Sequence, residues 1–220
     1  MSEFEGIQSM IFAVGRALPS GIQLLGTAFC LDKPGCFATA SHVVGMEDKN
    51  LVLVYKKLNS LNDYQDTSDT SVVSFPVKIK TTDPFHDLAI LQADPEVNLF
   101  SRITIKGADF APVGYQTSNF GFPHAEHGRM VLTQQDAEIG ARVLISSGPI
   151  KAKHLILNTQ ARPGQSGSPI FTKGNKYLVG VLIGSYAPGG GGSISLGGVD
   201  PSTLHQTTHA VSAQYLIGMY

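Results

Sequence analysis

Short apolar runs, each stopped within about ten residues by Gly, Pro, Asn or Asp, recur along almost the whole chain. No uninterrupted run approaches the roughly 20 residues that a helix needs to cross a bilayer. Runs this short cannot build a helix bundle, but they suit strands of a turn-rich β protein. Twenty-four glycines and twelve prolines supply the punctuation. Two series of strands are expected. The first comprises Ser9–Leu18, Gly21–Leu31, Cys36–Ala40, Leu51–Lys56, Ser71–Lys80 and Leu88–Gln92. A less patterned stretch follows, and then Val113–Phe120, Arg129–Gln134, Ile139–Ser147, His154–Gln160, Pro169–Phe171 and Tyr177–Ile183. Only Ala210–Met219 has helical spacing, with Val211, Tyr215 and Ile217 on its buried side.

Two series of about six strands with a connector between them imply an all-β fold of two tandem six-stranded antiparallel barrels and a short C-terminal helix. The division expected is 1–100 for the N-terminal barrel and 101–220 for the C-terminal one. Leu58–Thr70 and the glycine-rich Ala187–Ser202 read as exposed loops, the second also as a flap beside a cleft.

Charge narrows the function. Sixteen basic against seventeen acidic residues leave a net charge of −1 with no block of either sign. A nucleic-acid binder would cluster a basic excess, so no nucleic-acid partner is expected. The acidic N-terminus lacks a basic segment followed by an apolar one, and no membrane association is expected. Cys30 and Cys36 are too few for a secreted disulfide framework, which points to the cytoplasm. If Leu31 pairs with Cys36 across the intervening turn, the two thiols face opposite sides; a five-residue loop would instead set them opposite each other and permit a redox-sensitive bridge.

Three segments carry residues suited to chemistry. Pro163-Gly164-Gln165-Ser166-Gly167-Ser168-Pro169 places a serine between glycines, where the backbone can turn its N–H groups toward one point. A serine hydroxyl is a weak nucleophile and needs a base beside it. Thr39-Ala40-Ser41-His42 ends an apolar run on a histidine. Asp83-Pro84-Phe85-His86-Asp87 precedes the wholly apolar Leu88-Ala89-Ile90-Leu91, where a carboxylate must find donors. Singly these read as a turn, a structural histidine and a capping residue.

Together, in the order His42, Asp87, Ser166, they make the chain resemble the chymotrypsin-fold (trypsin-like) serine proteases, most closely the HtrA/Deg-like bacterial branch. The resemblance runs from about Gln8 to Leu216. It includes Gly26-Thr-Ala-Phe29, the Gly121-Phe122-Pro123 segment and Gly180-Val-Leu-Ile-Gly-Ser185. It implies a serine endopeptidase acting on protein or peptide substrates through an acyl-enzyme. His42 would be the general base, Asp87 its orienting partner and Ser166 the nucleophile. The N–H groups of Gly164 and Ser166 would form the oxyanion hole. Gln160, Ala161, Ile183, Gly184 and Ser185 would line the pocket for the residue before the scissile bond. No metal and no organic cofactor is implied.

The chain departs from that pattern at Ser168, where glycine is commoner, and at Gln165, where zymogen-activated relatives carry an aspartate. Activation by N-terminal cleavage is therefore not expected. No cysteine follows His42, and the residues up to Tyr220 leave no room for a PDZ module. Gln160 in place of an aspartate argues for a neutral side chain before the scissile bond, while Arg162 would favour an acidic one.

Other readings are weaker. His124-x-x-His127 and His205-x-x-x-His209 could present paired nitrogens to a metal, but no zinc-protease glutamate accompanies them. An α/β-hydrolase would use Ser166 with Asp200 and His205 or His209, yet Ser168 stands where its elbow needs glycine. The non-enzyme alternative is a catalytically silent protease-like module that binds peptides; strand addition to the Ile183–Tyr186 edge would be shared by both readings.

Overall fold

The chain's structure, a computed structural model, describes residues 4–94, 97–174, 176–186 and 207–220. It contains two antiparallel barrels. The first is built from β1 (Ile11–Leu18), β2 (Gly21–Cys30), β3 (Cys36–Ala40), β4 (Leu51–Tyr55), β5 (Val73–Asp83) and β6 (Leu88–Ala93), and it closes in the order β1-β2-β3-β6-β5-β4. The second comprises β8 (Gln116–Gly121), β9 (Thr133–Ser147), β10 (Ile150–Leu157), β11 (Pro169–Thr172), β12 (Tyr177–Tyr186) and β13 (Thr207–Ser212). Its sheet runs β11-β8-β9-β10-β13-β12, and the β11–β12 pairing closes it. A two-residue strand, β7 (Thr104–Ile105), adds to β12 in parallel.

The two-barrel expectation holds, with corrections in the second half. Ile139–Ser147 and the last two residues of Arg129–Gln134, read as separate strands, belong to the single 15-residue β9, and residues 129–132 precede it outside any strand. The polar run Gln134–Glu138 does not break it, because Ala137 and Ile139 turn inward while Asp136 and Glu138 face water. Asp136 is held there by Ser118 Oγ at 2.6 Å and Lys173 Nζ at 2.5 Å. The C-terminal helix is a 3-10 turn over Ala213–Leu216. Residues 210–212, expected as its first turn, instead finish β13 beside β10 and β12. Ile217, expected to be buried, is 65% exposed. The loop 187–202 lies outside the described residues.

One apolar cluster runs through both barrels. It joins Ile11, Phe29 and Ile90 of the first to Phe120, Val181 and Val211 of the second. The chain ends cross over as well. Phe4 packs edge-on against Phe120, with ring centroids 5.0 Å apart. Tyr215 stacks at 3.6 Å on His86 of the first barrel. The cleft between the barrels is therefore closed below by shared packing.

The turn between β2 and β3 settles the cysteines. Leu31 N–H donates to Cys36 O at 2.9 Å, so Cys30 and Cys36 point to opposite faces and enter different core clusters. Both thiols are free and buried, and burial pushes Cys30 up to about 12. Because the reagent must reach the sulfur and both are buried, neither thiol should consume dithionitrobenzoate in the native protein, and both should do so in denaturant. A time course at 412 nm checks this.

Candidate active site

The register of β3 against β6 creates the first half of the site. Ala40 lies opposite Leu88, which puts Asp87 across from the start of α1 (Ser41–Val44). Asp87 then receives three donors from that turn. Its carbonyl accepts from Ser41 N–H at 3.0 Å, and its Oδ1 accepts from His42 N–H at 2.9 Å. Its Oδ2 accepts from His42 Nδ1 at 2.6 Å. These bonds hold Asp87 at φ 54°, a left-handed conformation that aspartate tolerates better than most residues. A carboxylate accepting at Nδ1 requires the proton on that nitrogen, so Nε2 is left as the ring's acceptor. The imidazole is 47% exposed.

Ser166 comes from the second barrel, on the turn before β11, yet its turn is bonded to the first. Thr27 N–H donates to Ser166 O at 2.8 Å, and Thr27 Oγ1 donates to Gly164 O at 2.9 Å. Thr27 O in turn accepts from Thr39 Oγ1 at 2.7 Å. Gly26 stands so close that a Cβ there would come within 2.9 Å of Ser166 O. At Gly167, φ is +88°, and any Cβ would collide with Thr27 O and Thr39 Oγ1. Gly167 N–H donates to Leu182 O at 2.7 Å, which ties the other end of the turn to β12.

The Arg162–Gln165 turn aims the amides. Gln165 N–H donates to Arg162 O at 3.1 Å, with Pro163 second and Gly164 (φ +89°) third, the pattern of a type II turn. Pro163 O accepts from His124 N–H at 2.7 Å. Because a trans peptide sets C=O and N–H in opposite directions, Gly164 N–H points away from His124. Among the described residues neither Gly164 N–H nor Ser166 N–H donates to a protein acceptor. Buried amides are nearly always paired, so two left open at a half-buried serine mark a place for an incoming oxygen.

Sequence reasoning missed the parts that hold this turn. His124, at φ 63° and ψ 27°, is one of them. The other is an amide relay: Gln165 Oε1 accepts from Arg162 N–H at 2.7 Å, and Gln165 Nε2 donates to Gln135 Oε1 at 3.2 Å. Gln135 Nε2 donates to Gln160 O at 3.3 Å. Gln165 is 1% exposed, so this relay is internal. The only signal was Gln165 itself, noted as a departure.

The expected pocket residues are partly brought together. Ala161 N–H donates to Thr208 Oγ1 at 2.7 Å, and Gln160 precedes it in the same segment. Ile183 and Gly184 lie on β12, where Gly184, at φ +150°, has open space around its Cβ position. Ser185 contributes described backbone only, paired with Thr208. Ser166 Oγ and His42 share no hydrogen bond among the described contacts. Asp83 is engaged elsewhere, 2.5 Å from His86 Nδ1 and capping Phe85 and His86 N–H. Among the described residues no group of three or more His, Cys, Asp or Glu could hold a metal. His124 and His127 merely stack at 6.4 Å; Asp200 and His205 lie outside the described residues.

A family model described as "Trypsin-like peptidase domain" matches residues 26–181. No curated protein sequence matches the chain. Among solved structures it is similar to the MamO protease domain from Magnetospirillum magneticum, at TM-score 0.71 and 15% identity over 99% of this chain and 98% of that one. It is similar to the active form of the Rv3671c protease from M. tuberculosis at TM-score 0.70 and 17% identity, over 99% and 82%. The HtrA-type protease AlgW with a tripeptide gives TM-score 0.67 at 15% identity, over 99% of this chain and 62% of that one.

Proposed function

We propose, because this chain belongs to the trypsin-like peptidase family, that it is a serine endopeptidase with His42, Asp87 and Ser166 as its triad. His42 Nε2 takes the Ser166 proton as Oγ attacks the scissile carbonyl. Asp87 stabilises the imidazolium that results, and His42 then returns the proton to the leaving amine. The carbonyl oxygen, now an anion, is met by Gly164 and Ser166 N–H. The single observation that carries this reading is the orientation of the Pro163–Gly164 peptide, locked by His124 N–H so that the Gly164 amide is already turned outward. Each such donor supplies about 2.7–4 kcal/mol of transition-state stabilisation.

The Gln165–Gln135 relay supports activity without N-terminal cleavage, since the turn is braced from within. Gln160 in place of an acid supports a neutral residue before the scissile bond. The peptide substrates of the reading fit a cleft edge such as β12, and AlgW is a solved relative with a bound tripeptide. One observation favours the second reading, a silent peptide-binding module: the open leg between Ser166 Oγ and His42. Catalytic bonds in ligand-free sites are commonly loose, and the enzyme reading is preferred.

Intact-mass spectrometry after fluorophosphonate treatment separates the two. A single adduct on wild type, absent from Ser166→Ala and His42→Ala, is the expected result. A folded wild type that takes no adduct would favour the silent module.

A further inference from the structure

Cys36 is a nucleophile that the proposed mechanism does not use, and it stands in a built polar cluster. It starts β3 directly opposite Gln92 of β6, so the two side chains share a face of the sheet. Cys36 Sγ donates to Gln92 Oε1 at 3.1 Å. Lys80 Nζ donates to the same oxygen at 3.4 Å and lies 3.7 Å from Sγ. Thiol, amide and ammonium thus form a triangle across β3, β6 and β5. Two of its corners are held in place. Gln92 Nε2 donates to Gly35 O at 3.1 Å and to Ala93 O at 3.3 Å, which turns Oε1 toward the thiol. Lys80 is the extra residue of a bulge: Ile79 pairs with Leu91 and Thr81 with Ile90, so Lys80 has no place of its own in the ladder. Bulges re-aim side chains, and this one lays the lysine over Gln92 and Cys36.

We propose that Cys36 and Lys80 are a redox cross-linking site, at which hydrogen peroxide joins the thiol and the amine through a sulfur–nitrogen bond. The ammonium beside Sγ favours the thiolate, the form that peroxide oxidises. Sulfur attacks one peroxide oxygen, the O–O bond breaks, and the hydroxide released leaves as water with the thiol's proton; Cys36 is then a sulfenic acid. Lys80 gives its ammonium proton to solvent and its lone pair attacks sulfur. The S–OH bond breaks, and the hydroxyl departs as water with a proton from the nitrogen. One thiol, one amine and one hydrogen peroxide become one sulfenamide and two waters, with two electrons passing to the peroxide. Access is graded by size. Sγ is buried, but Lys80 is exposed, and Lys80, Gln92 and the exposed Lys78 line a cavity of about 820 Å3. A water-sized oxidant reaches the triangle when Lys80 swings aside, and dithionitrobenzoate does not. Cys30 is the internal control, since its thiol makes no hydrogen bond among the described contacts and burial pushes it up to about 12. The bridge ties β3, the strand that ends just before Ser41 and His42, to β5.

The test treats the folded full chain with hydrogen peroxide in modest excess, blocks remaining thiols in denaturant and maps the peptides without reductant. Wild type should give one cross-linked peptide pair holding residues 36 and 80, about 2 Da lighter than the sum of its parts. Dithiothreitol should separate the pair and restore both side chains. The thiols titrated by dithionitrobenzoate in denaturant should fall from two to one, the survivor being Cys30. Lys80→Arg keeps a cation beside the sulfur but has no amine lone pair to attack with. It should form no bridge, and its Cys36 should run on to the sulfinic acid. A wild type whose Cys36 stays a thiol, or reaches the sulfinic acid uncrossed, overturns the proposal. So does a Cys36 cross-link that persists in Lys80→Arg, or loss of the Cys30 thiol in its place.

Discussion

Ser166→Ala is expected to lower kcat by about six orders of magnitude while leaving the fold unchanged. The size follows from the division of labour. Without Oγ no acyl-enzyme forms, and His42 and Asp87 have no proton to manage, so removing the nucleophile alone disables the whole group. What remains is the pair of open amides at Gly164 and Ser166, which still favour the oxyanion of a water-attack reaction, about 10³-fold over solution. The fold is spared because Ser166 is held by its main chain. Its carbonyl accepts from Thr27 N–H, and its Oγ makes no hydrogen bond among the described contacts. Turnover of a peptide substrate, measured beside a circular-dichroism melt, checks both halves. A variant that unfolds would contradict the backbone account, and one that keeps turning over would remove Ser166 from the reaction.

Asp87→Asn should cost about 10⁴-fold in kcat, again with little loss of structure. Asparagine keeps the oxygen that accepts from His42 N–H and tolerates the left-handed φ of 54°. It presents an NH2 to Nδ1, however, so the imidazole proton moves to Nε2 and the base faces the serine with its lone pair occupied. Asp83→Asn is the matched control. Asp83 also pairs with a histidine, His86, but that ring is stacked on Tyr215. The control variant should turn over near the wild-type rate. A dead Asp83→Asn beside a live Asp87→Asn would reverse the assignment.

Much of this was legible in the chain. β3 was read to the residue because the Asp32–Gly35 turn and Ser41 bracket a run whose one polar residue, Thr39, is β-branched and suits a strand. Alternation decided the cysteines, since period two leaves only one face for each thiol once Leu31 pairs with Cys36. The second barrel was read as six strands through two errors that offset each other: β9 was split at its solvent-facing polar run, and β13 was taken for helix. Val211 and Tyr215 do lie four apart, but Thr207, Thr208 and Val211 are β-branched, and pairing with β10 and β12 outweighed that spacing. For the candidate site, residue types and chain order were visible. The His124–Pro163 bond and the Gln165–Gln135 relay were not, because each joins residues 30 or more positions apart that carry no special chemistry in isolation. The grip of Gln65 on Leu132, with Nε2 donating to its carbonyl and its N–H donating to Oε1, was hidden for the same reason: a polar loop reveals its composition, not what its amide will hold.

Thr27 binds the serine's turn to the barrel that supplies the histidine, through bonds to Ser166 O and Gly164 O. On the peptidase reading this has a consequence for a concentrated population of the molecules. Autolysis requires an attacker and a victim, and the victim must open before its chain can enter a cleft. Any copy whose halves part breaks the Thr27 bonds and loses its own nucleophile geometry in the same event. Damaged copies can be digested by intact ones, but they cannot themselves digest, so the decay of a preparation follows the rate at which copies open and does not feed on its own products.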